Sequence, residues 1–236
     1  MRRILKEKYK AFSLVEMLIT ISIMGVIMLI SSSVLTTLIR VSIVGSDKVR
    51  ARNESEFVLE LLRRTVRNSD PSNVFVFNSL EERTFDPVYQ EIEDDIPVRE
   101  EGLYVVPLSE GDKGNEIHFR PYGYRDWICL GFFRAEPTIE GEEGRGYILW
   151  TSKEELAGEH KSCFALTGPE SYLMVLNSEY INIKDFDIYY TLSADGNYII
   201  RFDILSEPVN WYMGPGSPVR REVFRQGTVS TEGVTW

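Results

Sequence analysis

The chain has 236 residues, with 36 acidic against 26 basic side chains and a formal net charge of −10 at pH 7. Residues 1–11 hold five basic residues and one acid, so this N-terminal segment carries a net charge of +4 and the rest of the chain carries −14. Because phosphate groups repel a body this acidic, the composition disfavours nucleic-acid binding by the globular part.

The N-terminal region contains a long run without charge. Residues 17–39, between Glu16 and Arg40, include no formally charged side chain. As a helix this run covers about 34 Å, slightly more than the roughly 30 Å hydrocarbon core of a bilayer. It therefore predicts a single membrane span. The basic residues before it predict a cytoplasmic N-terminus and an extracytoplasmic C-terminal bulk.

Two other classes of N-terminal segment share the basic start and the apolar run. A secretory signal also has a basic head and an apolar core, and residues 31–33, all serine, would serve as its end. Its core is usually about 7–15 residues long and contains no acid, which fits poorly here. A plain single-pass anchor explains the length and orientation but gives Glu16 no role.

Glu16 is the acid at the entrance to the apolar run. A carboxylate within an apolar segment costs about 2.5–3.5 kcal/mol on insertion scales, so it is tolerated mainly when it is paired or functional. Glu16 is therefore expected to need a cation. Alternatively, it lies solvated at the headgroup boundary, where the positive end of a helix dipole favours an acid.

The helix is expected to continue beyond the span as an amphipathic segment. Apolar residues recur there at spacings of three and four, which is typical of one buried helix face. The predicted face comprises Val49, Phe57, Val58, Leu61, Leu62, Thr65 and Val66. Asp70 precedes Pro71 and is pushed out of helical geometry, so the helix should end near Asn68. Gly25, residues 31–33 and Gly45 are either points of bending or tolerated small residues.

Short runs with β propensity follow Pro71, separated by turn residues. The predicted strands are 74–77, 103–106, 116–120, 127–133, 147–150, 172–176, 181–190, 198–205 and 221–224. The strongest hairpin turns at residues 194–197, where Asp195 and Gly196 would supply positive φ angles. The residues thus predict an α+β fold, with a long stem helix packed on an antiparallel β-sheet head.

The short basic leader and the string Phe12-Ser13-Leu14-Val15-Glu16 that follows it resemble the N-terminal signature of type IV pilins and pseudopilins, in which a basic leader and a peptidase site precede Phe-Thr-Leu-Val-Glu. The resemblance implies that prepilin peptidase cuts between Ala11 and Phe12 and methylates the new amino group of Phe12. Ala11 stands where the family usually has Gly. In the family the new amine pairs with this Glu of an adjacent subunit, which implies an assembly and register role for Glu16.

The resemblance also implies a pilin-like domain order. It comprises a leader at 1–11, a transmembrane half of the stem helix at 12–39, an amphipathic half at 40–69 and a β-rich head at 70–236. Residues 57–67 look like the corresponding helix of the J-type pseudopilin of type II secretion and of the W-type minor pilin.

The implied function is that of a non-enzymatic minor subunit in the bacterial inner membrane, later assembled into a type II secretion pseudopilus or a type IV pilus, at its tip or initiation complex. Its implied partners are prepilin peptidase, other minor and major pilin or pseudopilin subunits, the inner-membrane assembly platform and, before assembly, membrane lipid. The alternative is a single-pass, membrane-anchored extracytoplasmic binding module that forms no filament.

Catalytic, cofactor and metal sites are not predicted. His118 and His160 are expected to be ordinary surface or edge residues, and no Gly-x-Ser-x-Gly elbow accompanies them. The glycine-rich stretch 141–146 contains two acids that would repel phosphate, so a turn is expected there. Residues 91–95 carry four acids, whose spacing fits no known calcium loop and favours solvated acids.

Two further features leave alternatives open. Cys129 and Cys163 would form one disulfide in an exported head or remain as buried free thiols. Residues 211–218, from Trp211 to Pro218, combine aromatic side chains with a stiff loop that either covers the core or contacts another subunit.

Overall fold

The computed structural model describes residues 13–79, 83–93, 105–137, 143–154, 163–164, 173–209 and 221–231. The chain divides into two compact units, Met1–Gly45 and Ser46–Trp236. Helix α1, Leu14–Arg67, belongs to both units. The predicted stem helix is confirmed over these residues, whereas its division into halves at residue 40 stays a prediction.

The head contains β-strands in two sheets. The strands are β1 Ser69–Ser79, β2 Thr84–Asp86, β3 Glu91–Glu93, β4 Val105–Pro107, β5 Glu116–Pro121, β6 Trp127–Arg134, β7 Gly146–Lys153, β8 Met174–Val175, β9 Ile181–Leu192, β10 Tyr198–Pro208 and β11 Val223–Ser230. The larger sheet has eight strands, with antiparallel neighbours in the order β4, β1, β5, β6, β7, β8. The hairpin of β2 and β3 joins β6 through one parallel pair, Thr84 and Arg134. Strands β9, β10 and β11 form the second sheet, which is antiparallel.

Each of the nine predicted strands has a counterpart, which confirms the α+β class with antiparallel sheets. Strands β2 and β3 were not predicted, because three residues are too few to show a period of two. Strand β11 continues past Phe224 to Ser230, through the polar residues Arg225 and Gln226. Pairing with β10 sustains it there, so local hydrophobicity gave no indication of its length.

The hairpin of β9 and β10 is confirmed, with a correction to its turn. Ser193 accepts a hydrogen bond from the Gly196 N–H at 2.9 Å, and the Ser193 N–H donates to the Asn197 carbonyl at 2.8 Å. Gly196 has a φ of 79°, and Asp195 does not share its positive φ. Only the glycine therefore occupies the left-handed conformation, which costs a residue without a Cβ little.

The C-terminal part of α1 packs against both sheets. Its buried residues recur at helical spacing and form a core with the inward faces of the strands. They are Ala51, Ser55, Val58, Leu59, Leu62 and Val66. The prediction was wrong for Val49 and Phe57, whose exposed fractions are 57% and 61%, and it omitted Leu59. At 100° per residue, both exposed side chains lie on the side of the helix opposite the buried face.

Polar contacts also fix the position of this helix segment on the head. The Glu54 carboxylate accepts hydrogen bonds from the Ser178 hydroxyl at 2.6 Å and the Ser178 N–H at 3.1 Å. The Ser55 and Ser206 hydroxyls, both buried, lie 2.9 Å apart. The Arg50 guanidinium stacks over the Tyr180 ring, 3.6 Å from its centroid. These directional contacts define the rotation of α1, which apolar packing alone specifies less sharply.

The larger sheet is covered on both faces. In β6, Ile128 and Leu130 face the core beneath α1, whereas Cys129 and Phe133 point to the other side. That side carries a second cluster, which comprises Phe85, Ile92, Cys129, Phe133, Tyr147, Leu149, Cys163 and Phe164. Strand β6 therefore reads as a nearly continuous apolar run, as is expected of a strand that is buried on both faces.

The fold predicts a large difference between two truncations on α1. Leu62→Ala removes a fully buried side chain and should lower the free energy of unfolding by about 2–5 kcal/mol. Val49→Ala, on the exposed side, should change it by less than about 0.5 kcal/mol. Denaturant titration of the detergent-solubilised chain, followed by tryptophan fluorescence, measures both. Equal losses would contradict the packing described here.

Candidate functional site

The apolar part of α1 presents its large side chains to the surroundings on every side. Every large hydrophobic residue of Leu14–Val41 is exposed, and the most apolar 18-residue window has a mean hydropathy of 2.3 with none of its residues buried. By length and composition this helix can cross a membrane. The described part of the chain contains one such helix.

The hydroxyl side chains of this segment bond to the helix itself. Four of them donate to the carbonyl oxygen four residues earlier, at 2.8–3.0 Å. The donors are Thr20, Ser22, Thr36 and Thr37. Because these bonds lie within one helix, the polar groups are satisfied without water, as a lipid environment requires.

Glu16 differs from these residues. It lies in the first turn of α1, which opens with a hydrogen bond from the Met17 N–H to the Ser13 carbonyl at 3.1 Å. Its side chain is exposed and has no ion pair or hydrogen bond with any residue from 13 onward that the structure describes. The carboxylate at the start of the apolar helix is therefore available to a group from outside that part of the chain.

The predicted cleavage residues, Ala11 and Phe12, lie outside the described residues, as do His160, residues 211–218 and the acids Asp94 and Asp95. Their roles stay predictions. Glu91 and Glu93 belong to β3, which runs beside β2. Within 141–146, Gly146 begins β7 and Glu143 forms an ion pair with Lys184 at 2.9 Å.

A buried polar network lies in the head, on the face of β5 that carries the second apolar cluster. Glu116 is fully buried, and its carboxylate forms an ion pair with Arg83, itself 4% exposed. The same carboxylate accepts hydrogen bonds from His118 Nε2 at 2.5 Å and from the Cys163 N–H at 3.2 Å. One buried acid thus connects three separate segments of the chain.

Arg83 is held by several groups besides Glu116. One of its Nη atoms donates to the Phe132 carbonyl at 3.0 Å, and its guanidinium stacks over the Phe133 ring, 4.1 Å from the centroid. Burial lowers the pKa of the Arg83 guanidinium, and the charge of Glu116 opposes that shift. The ion pair therefore compensates part of the cost of placing both charges inside the head.

Cys129 and Cys163 form a disulfide, with their Cα atoms 6.1 Å apart, which resolves the alternative left open by the sequence. The expectation for His118 was wrong, because its side chain is buried, 1% exposed, beside this bond. His118 lies in a strand with alternating polar and apolar residues, and this alternation predicted that its side chain would be on an exposed face of the strand. The second apolar cluster covers that face, however, and hydrophobic periodicity within β5 alone gave no indication of it.

Replacing Glu116 tests the buried network. Glu116→Gln leaves the Arg83 charge uncompensated and should lower the free energy of unfolding by about 3–5 kcal/mol. Asp185→Asn removes one partner of the exposed pair with Lys113, 3.2 Å long, and should cost less than about 1 kcal/mol. Thermal and denaturant unfolding of the two variants provide the comparison. A loss for Glu116→Gln no larger than that for Asp185→Asn would contradict this account.

Comparison with known proteins identifies the N-terminal segment. Residues 7–32 match the family model described as the prokaryotic N-terminal methylation motif. The match includes Ala11, Phe12 and Glu16 and the start of α1. No curated protein and no solved structure matches the chain significantly. The chain thus carries the N-terminal motif of type IV prepilins, which supports a pilin-like family and indicates a processed structural subunit, not an enzyme.

Proposed function

We propose that the protein is a minor pilin or pseudopilin, cut by prepilin peptidase between Ala11 and Phe12 and methylated at Phe12. The subunit would then enter a type II secretion pseudopilus or a type IV pilus, at the tip or in the initiation complex. The observation that carries this proposal is the methylation motif at residues 7–32, whose residues from Leu14 onward lie in helix α1, where the large apolar side chains are exposed.

Before assembly the subunit would lie in the bacterial inner membrane as a single-pass protein. The apolar helix would contact lipid, and the +4 charge of residues 1–11 would keep the N-terminus in the cytoplasm. The head would then be extracytoplasmic, and the inner-membrane assembly platform would be one of the partners of the subunit. The Cys129–Cys163 disulfide is consistent with this location, because such bonds persist in oxidising compartments.

During assembly Glu16 would pair with the α-amino group of Phe12 in an adjacent subunit. The Glu16 carboxylate has no partner from residue 13 onward among the described residues, and an apolar environment strengthens its attraction to a nearby cation. When one apolar helix shifts along another, the packing energy between the two helices changes little. A single charge pair therefore provides the register that apolar packing does not.

The amphipathic part of α1 offers a second contact for a neighbouring stem. Val49 and Phe57 are exposed on the side of the helix that faces away from the head core. Glu60 and Arg64 lie on the same side and carry opposite charges. A neighbouring stem with a similar pattern would bury the apolar side chains and pair the charges, which favours a helix of another pilin-like subunit as the partner.

The head favours a specialised position in the filament. Its two sheets and second core make it large, which supports a tip or initiation subunit of the J or W type contacting sister minor subunits. The head is not expected to bind nucleic acid, since residues 12–236 carry a net charge of −14. Pseudopilus and pilus remain two destinations for the same proposed assembly mechanism.

Mass spectrometry of the protein extracted from membranes of cells with prepilin peptidase tests the processing step. We expect a first residue of N-methylated Phe12, and an intact leader when the peptidase is inactive. Ala11→Gly should be cut at least as completely as the parent chain, whereas the bulky side chain in Ala11→Leu should block the cut. A leader left intact in the parent chain would instead support the membrane-anchored binding module.

The exposed apolar side of α1 gives a second test. Phe57→Ser should leave the stability of the head unchanged but lower incorporation into filaments by about 10–100-fold, the effect of losing about 1.5–3 kcal/mol of aromatic burial. Tyr124→Ser is the matched control, because this aromatic side chain is 66% exposed in the turn between β5 and β6. Incorporation is measured by immunoblot of sheared filaments. Equal incorporation of the two variants would refute the stem contact.

A further inference from the structure

Three potential metal ligands lie together inside the head. His118 in β5 and Cys129 in β6 are directly opposite each other in the sheet, and Cys163 covers both from another segment. A ring nitrogen of His118 and the two sulfur atoms lie within 4.8 Å of one another, and all three residues are buried. Among the described residues, this is the one such group of His, Cys, Asp and Glu side chains.

The His118 ring is oriented as a metal-binding imidazole usually is. Its Nε2 lies 2.5 Å from a Glu116 oxygen, and an ionised carboxylate can only accept, so Nε2 carries the proton. Nδ1 then bears a lone pair, and it is buried without a hydrogen-bond partner in the described part of the chain. Metal-ligating histidines typically donate their second nitrogen to a carboxylate in this way.

The charges around the cluster suit a divalent cation. Arg83 already balances Glu116, so this acid adds no net charge to the site. Two thiolates from Cys129 and Cys163 would balance a doubly charged ion. Sulfur and imidazole donors together select soft or borderline metals, of which Zn²⁺ is the usual one in proteins.

We propose that reduction of the Cys129–Cys163 disulfide converts this cluster into a site for one Zn²⁺ ion. A dithiol reductant gives two electrons to the disulfide and becomes a disulfide itself. The S–S bond breaks, Zn²⁺ binds both sulfur atoms and a His118 nitrogen, and two protons are released. Oxidation by a protein disulfide reverses the reaction and expels the ion. This inference does not depend on the proposed function.

The change of geometry between the two states is small. Ligand atoms at 2.0–2.3 Å from a tetrahedral zinc ion are separated by roughly 3.3–3.8 Å. The three atoms already lie within 4.8 Å, so side-chain movements suffice, and one position remains for water. In either state β6 is linked to the segment at Cys163, by a covalent bond when oxidised and through the metal when reduced.

Cobalt titration of the full chain in detergent tests the site. The chain is reduced with a water-soluble phosphine under anaerobic conditions and titrated with Co²⁺, whose thiolate charge-transfer absorption reports sulfur ligation. We expect one equivalent to bind, Zn²⁺ to displace it, and the oxidised chain to give no such signal. His118→Gln should weaken binding at least tenfold, and Cys129→Ser should abolish the two-thiolate spectrum.

His160→Gln provides the matched control, because His160 is the other histidine of the chain. It should leave the affinity unchanged, and a loss equal to that of His118→Gln would overturn the assignment. Near-UV circular dichroism follows the fold in parallel. If reduction disorders the head, one equivalent of Zn²⁺ should restore the spectrum. A reduced chain that binds no metal, or that Zn²⁺ fails to refold, would overturn the proposal.

Discussion

The physical constraint on which the assembly account depends is one carboxylate at the start of an apolar helix. Four hydroxyl groups along this segment, those of Thr20, Ser22, Thr36 and Thr37, donate to carbonyl oxygens of their own helix, so they are satisfied in lipid or between packed stems. Glu16 cannot be satisfied in this way, because a carboxylate has no proton to donate to a carbonyl. It therefore requires a cation or water, and a filament core that excludes water leaves only the cation. The methylation motif over residues 7–32 makes the α-amino group of Phe12 the natural candidate.

Beyond Gly45 the same helix has one side buried against the sheets of the head and the other side exposed. One side of it closes the core beneath the two sheets, and Glu54 and Ser55 fix its rotation through Ser178 and Ser206. The outer face of the larger sheet is closed separately by the second apolar cluster and the disulfide, around the buried pair of Arg83 and Glu116. The head is thus stabilised on both sides of one sheet. The other side of α1, which carries Val49 and Phe57, is exposed.

The sequence predicted the elements better than their environments. A charge-free run and regular apolar spacing indicate a helix without reference to the rest of the chain, and the same holds for the longer strands. Which side of a strand or helix is buried depends on what packs against it, so His118, Val49 and Phe57 were assigned wrongly. Arg83 and Glu116 are separated by 33 positions along the chain, and nothing local relates them. The methylation motif could be recognised from the sequence because its signature is a fixed order of neighbouring residues, which requires no information about the rest of the fold.

The most direct test of the central claim is a competition between the parent chain and Glu16→Gln, expressed together as differently tagged copies. The variant keeps the shape of the side chain and one acceptor oxygen but removes the charge. The ratio of the two tags is measured in membranes and in purified filaments. The account predicts equal insertion into membranes and at least tenfold depletion of Glu16→Gln from filaments, as expected when the lost attraction exceeds about 1.4 kcal/mol. An equal ratio in both fractions would contradict the pairing of Glu16 with a neighbouring amino group.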